Sequence, residues 1–263
     1  MEGAYSFAAM HTFFRSGDQK AFSVDTWKDA MEAIRMEKAD FAVLPIDQNS
    51  TAGIVQDIYD LLTEYDHVIV GEQIIPCEHV LMGLPGTSLS HIHTVYSHPQ
   101  ALMQCREFLE KHRDWQQMEW NNTAAAAKKV ADEKNPAQAA IASRYAAEHF
   151  GLAVLEEGIY SNVNNSTRFI IVTRGENLLP GCPVRSVSAM NFPMRAEVCI
   201  TASPHFIYNG LNMTKIESRP IMERNWEYRF FVDFEGNLSD SAVKNALRGL
   251  KSEARNLRVH GNY

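Results

Sequence analysis

The sequence predicts an α/β layer structure with a mostly parallel sheet, followed by a smaller α+β unit. Three observations carry this prediction. Short apolar runs alternate with amphipathic stretches over the first two thirds of the 263 residues. Periodicity lapses between Gly175 and Met194, and a strand-like alternation and one more helical stripe then follow. Strands that alternate with helices belong to sheets whose faces the helices cover.

From Asp25 to about Arg35, Trp27, Ala30, Met31 and Ile34 recur at helical spacing, with Asp25 or Thr26 as the cap. Phe41-Ala42-Val43-Leu44 reads as a buried strand ending at Pro45. Ile54, Val55, Ile58, Leu61 and Leu62 mark the next helix, and Val68-Ile69-Val70 the next strand. His93-Thr94-Val95-Tyr96 reads as a strand running into a helix capped by Ser97, with Pro99 in its first turn and Gln100 at the capping-box position. Ala101, Leu102, Cys105, Phe108 and Leu109 supply that helix's buried stripe, and Thr123 is expected to cap the alanine-rich helix from Ala124. Ala139–Ala142 and Arg168–Val172 are further strands. Beyond the lapse, Trp226, Tyr228, Phe230, Val232 and Phe234 alternate as in a half-buried strand. A helix from about Ser239 then carries Ala242, Val243, Ala246, Leu247 and Leu250.

Composition excludes several classes. A net charge of −7 with no block of like charge points away from nucleic acid, so an anionic ligand needs a local basic group. Cys77, Cys105, Cys182 and Cys199 lie far apart and form no C-x-x-C pair, which argues against a disulfide framework or zinc site and fits a reducing compartment. No apolar run approaches membrane-spanning length and the start at Met1 shows no signal-peptide pattern, so the cytoplasm is the expected location.

Four local segments go further: Pro45-Ile46-Asp47-Gln48-Asn49-Ser50-Thr51-Ala52-Gly53, Tyr96-Ser97-His98-Pro99-Gln100 with Ala101-Leu102-Met103-Gln104-Cys105, Asn164-Asn165-Ser166-Thr167-Arg168-Phe169, and Lys215-Ile216-Glu217-Ser218-Arg219-Pro220. In this order and at these separations, across nearly the whole chain, they resemble prephenate dehydratase with a C-terminal ACT domain. That resemblance implies a two-lobed catalytic domain like a periplasmic solute-binding protein over residues 1–178. One lobe would be about 1–75 plus 160–178 and the other about 76–159. A linker over 179–194 and a βαββαβ ACT-like unit over 195–263 would follow.

The implied reaction is the decarboxylating dehydration of prephenate to phenylpyruvate for phenylalanine biosynthesis, with feedback by phenylalanine through the ACT unit. Aromatisation drives this reaction, so neither cofactor nor metal is implied. The protein must hold a small dianion, help hydroxide leave and keep water from the ring carboxylate. On the resemblance, Thr167 assists the leaving hydroxyl and Arg168 offers a planar fork to a carboxylate. Asn49, Ser97, Gln104, Asn122 and Thr123 would supply neutral hydrogen bonds to the substrate, while Asn212, Glu217, Ser218 and Arg219 match the effector region. A homodimer or homotetramer is implied, with no nucleic-acid or membrane partner.

The residues also admit plainer roles. Ser97 and Thr123 suit helix caps, Asn49 an Asx turn, Gln104 a surface position and Arg168 a structural ion pair. Thr167 suits a strand for its β-branch alone, and His79 and His98 read as structural histidines. Three departures from the family pattern stand out. The first segment carries one additional residue against P-I-E-N-S/T. The path from Val198-Cys199-Ile200-Thr201 through Pro204 to Gly210 leaves the first ACT helix about two turns short. The third is at the start: the family has a strand before its G-x-x-G-S-Y-S turn, of which Glu2-Gly3-Ala4-Tyr5-Ser6 is what stands here. A fragment of a longer protein is therefore the expectation, some relatives carrying a chorismate mutase domain ahead of this point. Arogenate dehydratase and a non-catalytic amino-acid sensor are the competing functions.

Overall fold

The computed structural model describes residues 4–15, 19–48, 56–162, 165–175, 185–193, 198–221 and 227–263, with side chains except at 48, 56, 185–193, 198–202 and 255. The chain opens with α1 (Tyr5–Phe14) and α2 (Trp27–Arg35). A reciprocal cap starts α2: the Asp29 N–H donates to Thr26 Oγ1 and the Thr26 N–H to the Asp29 carboxylate, both at 3.1 Å. β1 (Phe41–Gln48) runs on through Pro45 instead of stopping there. It stands at the end of its sheet, where a missing N–H need not break the ladder.

α3 (Gln56–Glu64), β2 (His67–Pro76), β3 (His79–Gly83), β4 (Thr94–Ser97), α4 (Pro99–Gln104), α5 (Arg106–Leu109) and β5 (Gln116–Glu119) follow. Next come α6 (Thr123–Glu133), β6 (Gln138–Ser143), α7 (Arg144–Phe150), β7 (Ala153–Glu156) and β8 (Ser166–Arg174). The chain ends with β9 (Arg185–Pro193), α8 (Val198–Ile207), β10 (Met213–Pro220), β11 (Glu227–Glu235), α9 (Ser241–Glu253) and β12 (Arg255–Asn262).

Two compact units emerge. The first comprises Met1–Asp29, Val43–Gln56 and Gln73–Phe169; the second comprises Ala30–Ala42, Asp57–Glu72 and Ile170–Tyr263. The first unit holds a five-stranded sheet in the order β5-β4-β6-β3-β7. β4 runs parallel to β5 and β6, but β3 runs antiparallel to β6 and β7. The sheet is therefore mixed, not mostly parallel. Reversal at β3 is invisible to periodicity, because a strand buried on both faces reads the same in either direction. On one face Leu81, Val95, Ala139 and Ile141 pack with Ala101 and Leu102 of α4 and Leu109 of α5. On the other, Val80, Met82, Ala140 and Ala142 pack with Ala126, Ala127 and Val130 of α6 and Ala146 and Ala147 of α7.

The second unit lies in a sheet ordered β1-β8-β2-β12-β9-β11-β10. β1, β2 and β8 each continue covalently from one unit into the other. β12 pairs parallel with β2 and antiparallel with β9, and β11 pairs antiparallel with β9 and β10. Residues 185–262 thus form a βαββαβ module in which Phe206, Val243 and Leu250 pack on Val232 and Phe234. Two expectations need correction here. The stretch read as a linker over 179–194 contains β9, which pairs on both sides. Once that strand is supplied, α8 has ten residues and the inferred loss of two turns disappears. Val198–Thr201, rich in strand formers, is helical: sheet pairing by 185–193 overrides its local preference.

Candidate active site

The first unit gathers a buried polar network around the end of β8. Thr167 is buried, and its Oγ1 lies 3.1 Å from the thiol sulfur of Cys77, the residue just past β2. The backbone N–H of Cys77 donates to the Asn165 carbonyl at 2.8 Å. The Asn165 side-chain amide donates to Gln104 Oε1 at 3.0 Å and, at 3.5 Å, to the Cys77 carbonyl. Gln104, the last residue of α4, accepts at the same oxygen from His79 Nε2 at 2.7 Å. Across the ring, His79 Nδ1 meets the hydroxyl of Tyr5 at 3.1 Å. Five elements or their flanks therefore converge on one hydrogen-bonded run, Tyr5–His79–Gln104–Asn165–Cys77–Thr167.

The electrostatics favour neutral groups throughout. Burial pushes the Cys77 thiol up, against an opposing pull from its bonds to Thr167, so it stays protonated at neutral pH. Burial lowers His79, opposed by Gln104, and keeps the imidazole uncharged. Burial also raises the Tyr5 phenol well above its usual range. Asn165 Oδ1 is buried without a hydrogen-bond partner among the described residues. A group of three or more His, Cys, Asp or Glu side chains able to hold a metal ion is absent among the described residues.

The expected site residues fall in different places. Thr167 and Gln104 belong to the network, so Gln104 is more than a surface residue. Arg168 is half-buried, and the strand pleat sends it out of the face opposite Thr167. Ser97 is fully buried, and its hydroxyl donates to the Ile141 carbonyl at 2.6 Å, joining β4 to β6. It does not cap α4; the side chain of His98 does, accepting from the Gln100 N–H at 3.3 Å. Nor does Thr123 cap α6. That role falls to Asn122, whose Oδ1 accepts from the Ala125 N–H at 2.7 Å, and Thr123 is the first helical residue. Asn49 lies outside the described residues.

In the second unit, Glu217, Ser218 and Arg219 lie on β10, with Ser218 exposed and its neighbours half-buried. Arg219 donates to Asp60 of α3 at 2.6 Å, and the Asn212 amide donates to Glu235 of β11 at 3.0 Å. Sequence reasoning did not single out Tyr5, Cys77 or Asn165 for the site, and it left His79 a structural role. Asn165 sat inside one motif and Tyr5 inside the remnant of the opening turn, without either being read as a site residue; Cys77 carried no local signal, because only tertiary pairing brings it to β8.

The network thus sets a buried hydroxyl among neutral hydrogen-bonding groups. The prephenate dehydratase family model matches residues 1–177, and the chain belongs to that family. Among relatives, the bifunctional chorismate mutase/prephenate dehydratase of Escherichia coli K12 is 34% identical over 271 aligned residues, covering 100% of this chain and 68% of its own length. The chloroplastic arogenate dehydratase/prephenate dehydratase 6 of Arabidopsis thaliana is 34% identical over 278, covering 99% and 66%. The chain spans 61–68% of the length of the bifunctional bacterial relatives. Among solved structures, prephenate dehydratase from Arthrobacter aurescens in complex with L-Phe superposes with a TM-score of 0.90 at 30% identity, covering 100% of this chain and 87% of that one. A protein described as GqqA, a novel type of quorum quenching acylase, gives 0.89 at 28% identity, covering 99% and 94%.

Proposed function

We propose that this chain converts prephenate to phenylpyruvate, carbon dioxide and water, with Thr167 as the hydrogen-bond or proton donor to the departing hydroxyl. The observation that carries this reading is the buried Thr167 hydroxyl, 3.1 Å from a thiol that burial keeps protonated. With the Cys77 S–H turned toward Oγ1, the threonine's own proton is directed to the substrate. As the ring C–OH bond breaks, the leaving oxygen takes a proton. The electrons of the breaking ring–carboxylate bond enter the ring, which becomes aromatic as carbon dioxide departs. Gln104 and Asn165 orient the ligand, and Asn122 and Thr123, with Asn49 outside the described residues, are the further candidate contacts. Arg168 is the candidate partner for a substrate carboxylate, and since β8 is flanked by β1 and β2 its guanidinium would have to reach past the start of the strand.

Residues 185–262 act as an ACT module that senses phenylalanine. The βαββαβ order supports this, as does the L-Phe in the described Arthrobacter complex. Asn212, Glu217, Ser218 and Arg219 are its candidate contacts, in a cytoplasmic homo-oligomer. Arogenate is the second substrate to test, since the Arabidopsis relative carries both names. Acyl transfer through Cys77 is disfavoured, because a thiol held protonated is a poor nucleophile.

The test is ultraviolet detection of phenylpyruvate from prephenate, with phenylalanine formation from arogenate assayed in parallel and each titrated with phenylalanine. Thr167→Val should lower kcat by about 10²–10⁴-fold with the melting temperature nearly kept. Turnover near that of the unchanged protein would remove Thr167 from its role. Wild-type protein that turns over neither substrate would end the enzymatic reading.

A further inference from the structure

The hydrogen-bonded run through His79 has a polarity that its geometry determines. It is anchored at the Cys77 backbone carbonyl, which can only accept, so the Asn165 atom facing it is the amide nitrogen. The same nitrogen faces Gln104, whose contacting atom is therefore its carbonyl oxygen. That oxygen in turn obliges His79 Nε2 to carry a proton. With Nε2 protonated and the ring neutral, Nδ1 is an acceptor, and the Tyr5 hydroxyl, 3.1 Å away, donates to it. Each member thus has one orientation consistent with the next. His79 is buried in β3, and the Tyr5 ring also meets it edge-on at 5.9 Å between centroids.

We propose that His79, held in its Nε2–H tautomer by Tyr5, is a positioning residue that turns the donor end of the Gln104 amide toward the substrate. An unconstrained glutamine amide can present either its oxygen or its NH₂ group to a ligand. Both substrate carboxylates and the keto oxygen accept hydrogen bonds, so only the NH₂ orientation helps. Two donors on Gln104 Oε1, from His79 and Asn165, exclude the wrong orientation before substrate arrives. This rests on the assignment of Gln104 as a substrate contact for prephenate.

The experiment separates positioning from simple packing by comparing two replacements. In His79→Gln, the side-chain amide places an N–H near the former Nε2 and still donates to Gln104. In His79→Asn, the amide reaches only the former Nδ1 position, so Gln104 Oε1 loses its donor from residue 79 while keeping the Asn165 amide. His79→Gln should retain at least about a third of wild-type kcat/KM, whereas His79→Asn should lose about 10²-fold, the scale of a misplaced contact. A double-mutant cycle with Gln104→Ala decides the mechanism: once Gln104 is truncated, His79→Asn should cost less than about threefold more. Equal losses in the two His79 variants, or additive losses in the cycle, would overturn the proposal and leave the function intact. An inactive wild type would instead remove the prephenate reading and this inference with it. Nitrogen-detected NMR of the histidine side chains gives an independent check, and an Nδ1–H tautomer at His79 would also overturn it.

Discussion

His260 of β12 is fully buried, with neither ring nitrogen hydrogen-bonded among the described residues. Its ring lies 6.0 Å from that of Phe231. Burial, reinforced by repulsion from Arg258 and Arg229, lowers its pKa from 6.5 to about 3. The unfolded chain binds a proton there below pH 6.5 while the folded chain does not until about pH 3. Stability therefore falls as pH drops through that window and is unaffected by this group above it. The slope reaches about 1.4 kcal/mol per pH unit, so the loss approaches about 5 kcal/mol by pH 3. Even at pH 7, a buried polar group without a partner costs about 1–3 kcal/mol.

His260→Leu should relieve both effects. Urea unfolding at pH 7 should show the variant more stable by about 1–3 kcal/mol, and its advantage should widen as pH falls from 6.5 toward 4. Taking the difference between the two proteins at each pH cancels the carboxylates that titrate in both. A variant less stable at pH 7, or an advantage that stays constant with pH, would refute the reasoning and point to a partner that satisfies the imidazole.

Three other substitutions test placements made above. Ser97→Ala removes the hydroxyl bonded to the Ile141 carbonyl and should lower stability by about 1–3 kcal/mol; the same substitution without effect on the melting temperature would return Ser97 to a ligand-binding role. Asn122→Ala removes the α6 cap and should cost about 0.5–2 kcal/mol by urea unfolding. Gly261→Ala would place a Cβ 2.7 Å from the Ile69 carbonyl oxygen, where β12 pairs with β2. It should destabilise by about 1–3 kcal/mol, and an unchanged melt would mean these strands separate more easily than their pairing suggests.

Much of this protein was legible in its residues alone. Helical spacing located α2, α3 and α9, because one buried stripe per helix repeats every 3.6 residues whatever it packs against, while alanine composition located α6. The motif around Thr167 and the order of four segments led to the family, since four local motifs in register are far more specific than any one of them. Other features depended on pairing between distant strands. The antiparallel course of β3, the strand β9 in an aperiodic stretch and the helix at Val198–Thr201 are all decided by partners far along the chain. Caps at His98 and Asn122 in place of their neighbours turned on backbone dihedrals one residue away from the expected position. Thr167 and Gln104 were expected at the site from the sequence, but the network that joins them belongs to the tertiary structure. Tyr5, His79, Gln104 and Asn165 carry ordinary side chains in sequence, and they acquire tautomer, orientation and pKa only when folding removes water and leaves each with its neighbours for hydrogen bonds.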